Sequence, residues 1–215
     1  MNTAKIIGIT SSLIEGVDNA EQLIAYAARV SNPSNQMNKE TSEKLLKYCI
    51  RNSHWSVFEM VNVVMEIETT RDIARQILRH RSFSFQEFSQ RYADPTKDLG
   101  FVTREARLQD TKNRQNSVET DNAELQATWE VMQNIARASA KDAYNWAIEN
   151  GIAKEQARAV LPEGLTVSRM YMNGTLRSWI HFCELRMGNG TQKECREVAT
   201  SAWNQLAIYF KFLTS

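Results

Sequence analysis

Apolar positions fall into short alternating runs separated by stretches with a three-to-four-residue period, which predicts strands and helices mixed along one chain. Lys5 to Thr10 reads as a strand. Asp18 with Glu21 forms a capping box that opens a helix through Leu23, Ile24, Ala27 and Ala28, closed before Pro33. Thr41 to Asn52 is a second helix, with Leu45, Leu46, Cys49 and Ile50 as its apolar stripe. Val61 to Glu68 is a strand, and Thr69 or Thr70 caps a helix from Arg71 to His80. Phe83 to Tyr92 fits strand or helix; the extended reading, which is favoured, would set Glu87, Ser89 and Arg91 in a row on one face.

The stretch from Asp94 to Thr120 is polar and reads equally as loop, lid or partial helix. Asp121 with Glu124 then caps a long helix through Leu125, Trp129, Met132, Ala136, Ala143 and Trp146, stopped at Asn150-Gly151. Lys154 to Leu161 is a short helix ended by Pro162, and Thr166 to Met172 a strand with Asn173-Gly174 as its turn. Thr175 caps a helix to Met187. Gly188-Asn189-Gly190 breaks it, and Thr191 with Glu194 starts a last helix carrying Val198, Ala202, Leu206 and Phe210. Strands and helices follow no regular βαβ rhythm, so the expectation is one mixed α/β domain of the α+β kind over 1–215.

Composition narrows the class. A chain of 215 residues with 42% hydrophobic and 24% charged residues is ordinary for a soluble globular protein. No run approaches the ~20 apolar residues of a membrane span, and residues 1–15 lack the basic start and apolar stretch of a signal peptide. Three scattered cysteines make no disulfide framework, so a cytoplasmic location is expected. A formal net charge of +1 gives no global attraction to nucleic acid, so any anion must be held by locally gathered arginines.

Those arginines gather in one place. The run from Arg79 to Tyr92 holds Arg79, His80, Arg81, Ser84, Glu87, Ser89 and Arg91 among four aromatics, a mixture suited to an anion beside a flat ring. A different class of reading makes it a single-stranded RNA platform, which the near-neutral charge and Glu87 weigh against. His54, His80 and His181 show no metal-ligand spacing, and neither a GxxxxGK[ST] nor a GxGxxG loop occurs. Cys183, three residues before Arg186, reads either as an activated thiol or, the simpler account, as a small buried hydrophobe.

At Arg79, His80, Arg81, Ser84, Ser89 and Arg91 the run resembles the signature of the flavin-dependent thymidylate synthases. The resemblance extends to Ala28-Arg29-Val30-Ser31, His54-Trp55-Ser56, Ala74-Arg75-Gln76, Ala157-Arg158 and the segment from Leu176 to Arg186. It implies a largely antiparallel sheet flanked by helices, a homotetramer with sites shared between subunits, and no membrane or nucleic-acid partner. The implied reaction methylates dUMP to dTMP, with 5,10-methylenetetrahydrofolate as carbon donor, NADPH as reductant, bound FAD as redox group, and neither a metal nor a cysteine nucleophile. By the same resemblance Gln76, Arg79, Glu87, Ser89, Arg91, Arg158 and Arg186 hold dUMP, with Arg186 polarising N3 of the base. Ser31, His54, Ser56, Arg79, His80, Arg81, Glu87, Thr175, Arg177 and His181 line the flavin site, Thr175 standing where many members carry asparagine.

Overall fold

In the computed structural model, which describes residues 1–214, a four-stranded antiparallel sheet carries helices on one face. The elements in chain order are β1 (Thr3–Ile9), α1 (Ala20–Ala28), α2 (Ser42–Arg51), β2 (Asn62–Thr70), α3 (Arg71–Ile77), β3 (Ser84–Glu87) and α4 (Pro95–Asp98). A small hairpin of β4 (Arg107–Gln109) and β5 (Ser117–Glu119) follows, then α5 (Ala123–Glu149), α6 (Lys154–Ala157), β6 (Val167–Thr175), α7 (Leu176–Arg186) and α8 (Lys193–Tyr209). The sheet order is β1-β2-β6-β3.

Alternation along β2 and β6 makes one sheet face apolar. Val63, Met65 and Ile67 oppose Gly174, Met172 and Met170 and are fully or almost fully buried. Trp179 and Phe182 of α7 and Val198, Ala202 and Leu206 of α8 join them in the main core. Each large side chain so buried contributes about 1.5–3 kcal/mol. The opposite face keeps Glu66, Glu68, Arg169 and Tyr171 near solvent. Strand β1 would leave an open edge, but α8 closes it: Ala4 N–H donates to Ser201 Oγ at 3.0 Å and Ile6 N–H to Gln205 Oε1 at 3.2 Å. Tyr144, Ala147, Ala157 and Leu161 form a smaller core under α5.

Several sequence expectations shift. Both capping boxes start one residue later than predicted. Asn19 and Asn122 accept from the backbone N–H of Gln22 and Leu125, at 2.9 and 3.0 Å, leaving Asp18 and Asp121 outside the helices. Helix α3 ends at Ile77, so Arg79 and His80 lie beyond it. Helix α8 begins after Gln192 rather than at Thr191. The 154–161 helix is one α-turn followed by a 3-10 turn at Arg158–Val160.

Two corrections matter more. Strand β3 stops at Glu87, and the amides of Tyr92 and Ala93 both turn back to the Ser89 carbonyl at 3.0 and 3.1 Å. The row Glu87, Ser89, Arg91 therefore does not form; the last two sit on a turn. Asn173-Gly174 is no turn either, because β6 runs through it in unbroken register with β2. The glycine is needed for another reason. A Cβ on Gly174 would collide with the Phe83 ring, so its absence leaves room for that ring against β6.

Candidate active site

The residues after α3 and at the end of α7 meet where the two helices converge. Arg186, last residue of α7, donates from Nε to His80 Nε2 at 2.8 Å and from a terminal nitrogen to the Gln76 carbonyl at 3.2 Å. The imidazole can accept only if Nε2 carries no proton. Burial, then the adjoining Arg186 and Arg79 guanidiniums, push the His80 pKa down to about 4, so it is neutral near pH 7. Phe182 meets the imidazole edge-on, its ring centroid 4.9 Å away. Arg186 is thereby aimed without being neutralised. Among the described residues no carboxylate pairs with Arg79, Arg81, Arg158 or Arg186. Arg79 and Arg81 are also exposed.

Glu87 is held differently. It opposes Met170 on the covered sheet face and accepts from Ser168 Oγ at 2.7 Å and from Arg71 at 3.3 Å. The turn after it brings Arg91 to Glu155 at 3.2 Å, while Arg158 donates to the Glu155 carbonyl at 3.3 Å. Ser89, Arg91 and Arg158 thus form a second polar group around Glu155, separate from the His80–Arg186 pair within this chain.

A third group lies along the start of α7 and the 3-10 turn Trp55–Glu59. His181 meets Trp55 edge-on at 4.4 Å, and Arg177 pairs with Glu59 at 2.6 Å. His54, Ser56 and His181 are exposed. His54 also touches Tyr48 at 5.9 Å, and Tyr48 lines the same 450 Å³ cleft as Ser31, so the Ser31 segment adjoins this group. Ser178 Oγ reaches the Ser82 carbonyl at 3.5 Å and links the group to the Arg79–Arg81 segment. Thr175 caps α7, its Oγ1 accepting from the Ser178 amide at 3.2 Å, while Asn173 projects from the opposite, polar sheet face. A surface with exposed imidazoles and unpaired guanidiniums beside a shallow cleft fits a flat, pyrophosphate-bearing cofactor such as FAD. The fold brings His54, Ser56, Arg177 and His181 together and links them through Ser178 to the Arg79–Arg81 segment, whereas Glu87 lies apart on the covered sheet face.

The larger clefts lie elsewhere. One of about 750 Å³ and one of about 580 Å³ flank residues 101–117 rather than the signature. They are lined by groups that the sequence did not single out, including Arg104, Arg107 and Gln192. Arg71 and Ser168 were likewise unmarked, since an arginine at a helix start and a serine in a strand carry no periodic signal.

Two other readings lose ground. Cys183 is fully buried and its thiol pKa is pushed well up by that burial, then by Glu184, which suits the buried-hydrophobe account. Phe83 and Phe85 pack against the main core, so neither ring is free to stack on a base. Among the described residues no group of three or more His, Cys, Asp or Glu is placed to hold a metal, and no helix is long and apolar enough to cross a membrane.

Residues 12–209 match the family model described as "Thymidylate synthase complementing protein". The chain belongs to the flavin-dependent thymidylate synthase family. A probable flavin-dependent thymidylate synthase of Paramecium bursaria Chlorella virus 1 is 52% identical over 199 residues, covering 93% of this chain and 91% of that protein. The flavin-dependent thymidylate synthase of Synechocystis sp. is 51% identical over 182 residues, covering 85% and 82%. In fold, the chain is similar to a UMP/dUMP methylase, PolB of Streptomyces cacaoi, solved with 5-Br UMP. The TM-score is 0.79 at 24% identity, over 98% of this chain and 91% of that one. As a member of the flavin-dependent thymidylate synthases the chain is an enzyme of that type, and the signature from Arg79 to Arg91 lies inside the matched span.

Proposed function

We propose that this enzyme methylates dUMP to dTMP, taking the carbon from 5,10-methylenetetrahydrofolate and electrons from NADPH. The observation that carries the reading is the set of four arginines, Arg79, Arg81, Arg158 and Arg186, without carboxylate partners among the described residues. Guanidiniums without carboxylate partners on the signature segment, at Arg158 and at the end of α7 suit polyanionic ligands, and a nucleotide with a flavin dinucleotide supplies them. FAD, when bound, would carry from NADPH the hydride that reduces the transferred methylene to a methyl group.

The chain's own residues bind, orient and polarise. Arg186, fixed by neutral His80, keeps donor capacity for the N3 edge of the uracil, where negative charge develops as C5 becomes nucleophilic. Arg79, Arg91, Arg158 and Ser89 take the phosphate end, and Gln76 and Glu87 complete the nucleotide contacts. The division of these groups into separate clusters within one chain supports sites assembled from several subunits, in a homotetramer of single-domain chains.

So does α5. Its face of Leu125, Trp129, Met132, Ala136, Ala143 and Trp146 is exposed, with Met132 57% and Trp146 61% accessible, while Gln133, Tyr144 and Ala147 face inward. A stripe of that length on one helix is a protein-facing surface.

The test is spectroscopic. Purified enzyme is expected to carry an oxidised-flavin absorption band that NADPH bleaches, faster with dUMP present, and to form dTMP once methylenetetrahydrofolate is added. A folded sample that neither retains nor takes up FAD would overturn the reading.

A further inference from the structure

Gln192 occupies the N-cap position of α8, yet its side chain makes no capping bond, and glutamine is not a favoured cap. It is engaged on both sides instead. Its Nε2 donates to Glu194 Oε2 at 2.9 Å, and its Oε1 accepts from Gln76 Nε2 at 2.8 Å. Glu194 in turn is bonded to Arg107 of β4, and both of these side chains are about nine-tenths buried. The polarity of the chain follows from the first member. A carboxylate held by a buried guanidinium can only accept, so Gln192 must turn its NH2 toward Glu194 and its oxygen toward Gln76. Gln76 must then give one N–H of its NH2 to Gln192, which turns its oxygen away from that residue. Its Oε1 accepts from no group among the described residues.

We infer that Gln192, with Glu194 and Arg107 behind it, is a positioning residue that presents Gln76 as a hydrogen-bond acceptor to a donor on the nucleotide. That donor is the deoxyribose 3′-hydroxyl or the imide N–H of the base; a phosphate oxygen does not suit Oε1, because two acceptors would face each other. The inference rests on the dUMP reading and gives the 101–117 tract, through Arg107, a role in nucleotide recognition.

The experiment is calorimetric titration of the flavin-loaded, full-length enzyme and its Gln192→Leu variant with dUMP, N3-methyl-dUMP, 2′,3′-dideoxyuridine monophosphate and deoxyuridine. The variant is expected to weaken dUMP binding roughly three- to tenfold, the scale of one neutral hydrogen bond, with flavin content unchanged. That penalty should vanish for whichever nucleotide analogue lacks the donor that Gln76 reads, a pattern that a merely structural role for Gln192 would not produce. A penalty equal for dUMP and both nucleotide analogues, or one that vanishes only with deoxyuridine, overturns the inference, as does no penalty at all. Failure of the unsubstituted enzyme to bind dUMP overturns the functional reading itself, and is told apart because it precedes any comparison with the variant.

Discussion

A single proton decides whether Arg186 is aimed. Its bond to His80 exists while Nε2 is bare, and burial together with Arg186 and Arg79 keeps it so down to about pH 4. An unfolded chain would bind that proton near pH 6.5. Between those values the unfolded state therefore holds more protons than the folded one, and stability falls as pH is lowered through the window; above pH 6.5 the full contribution is present. His80→Gln keeps a neutral acceptor and removes the titration. Its melting temperature should decline less between pH 7 and pH 4.5 than that of the unsubstituted enzyme, and parallel declines would remove His80 as the group responsible.

Cys183 makes the opposite case at the same scale, a reactive side chain with no reaction. It is fully buried in the main core, so Cys183→Ala should cost about 1 kcal/mol of stability and leave dTMP formation largely intact. Loss of turnover in a folded, flavin-loaded variant would restore the thiol mechanism. At this scale the sequence marked His80 and Arg186, far apart along the chain, and the fold brings them together. Arg71, Ser168 and Gln192 went unmarked, since each acts through a contact between elements that are distant along the chain.

At the scale of elements, periodicity located the long strands and helices and misjudged how they end. The two caps slipped by one residue because Asp-Asn pairs offer adjacent side chains of equal capping strength, and only backbone geometry chooses between them. Asn173-Gly174 carries the composition of a turn but lies in the middle of a paired strand, where the glycine serves the Phe83 ring. That contact sets where the signature segment leaves the core. Gly174→Ala forces either the ring or β6 to move and should destabilise the enzyme by about 1–3 kcal/mol, measured by urea denaturation. Because Phe83 also packs edge-on to Trp179 at 4.9 Å, the variant should lose affinity for FAD beyond its loss of stability. Unchanged stability would mean that the ring finds another seat at no cost.

For the whole molecule, the folded chain leaves two things unfinished. Its unpaired arginines want anions, and the Leu125 to Trp146 stripe of α5, roughly 30 Å long at 1.5 Å per residue, wants a cover. The sequence displayed that stripe plainly; what it could not display was which way the stripe points. Gln126, Gln133, Tyr144 and Ala147 take the inward side because the amides of Gln126 and Gln133 hold the backbone of Ala106 and Arg104. The polar grip of residues 104–106 thus turns the apolar face of α5 outward. If that face joins copies of the chain, replacing Met132 and Trp146 together by glutamate would bury two carboxylates at a cost of several kcal/mol and forfeit about 1.5–3 kcal/mol of burial at each position. Light scattering after size-exclusion chromatography should then show a species smaller than a tetramer, with helical circular dichroism kept and bound flavin lost. Retention of flavin by a dissociated chain would mean that one subunit suffices for the cofactor, and an intact tetramer would free α5 from any part in assembly.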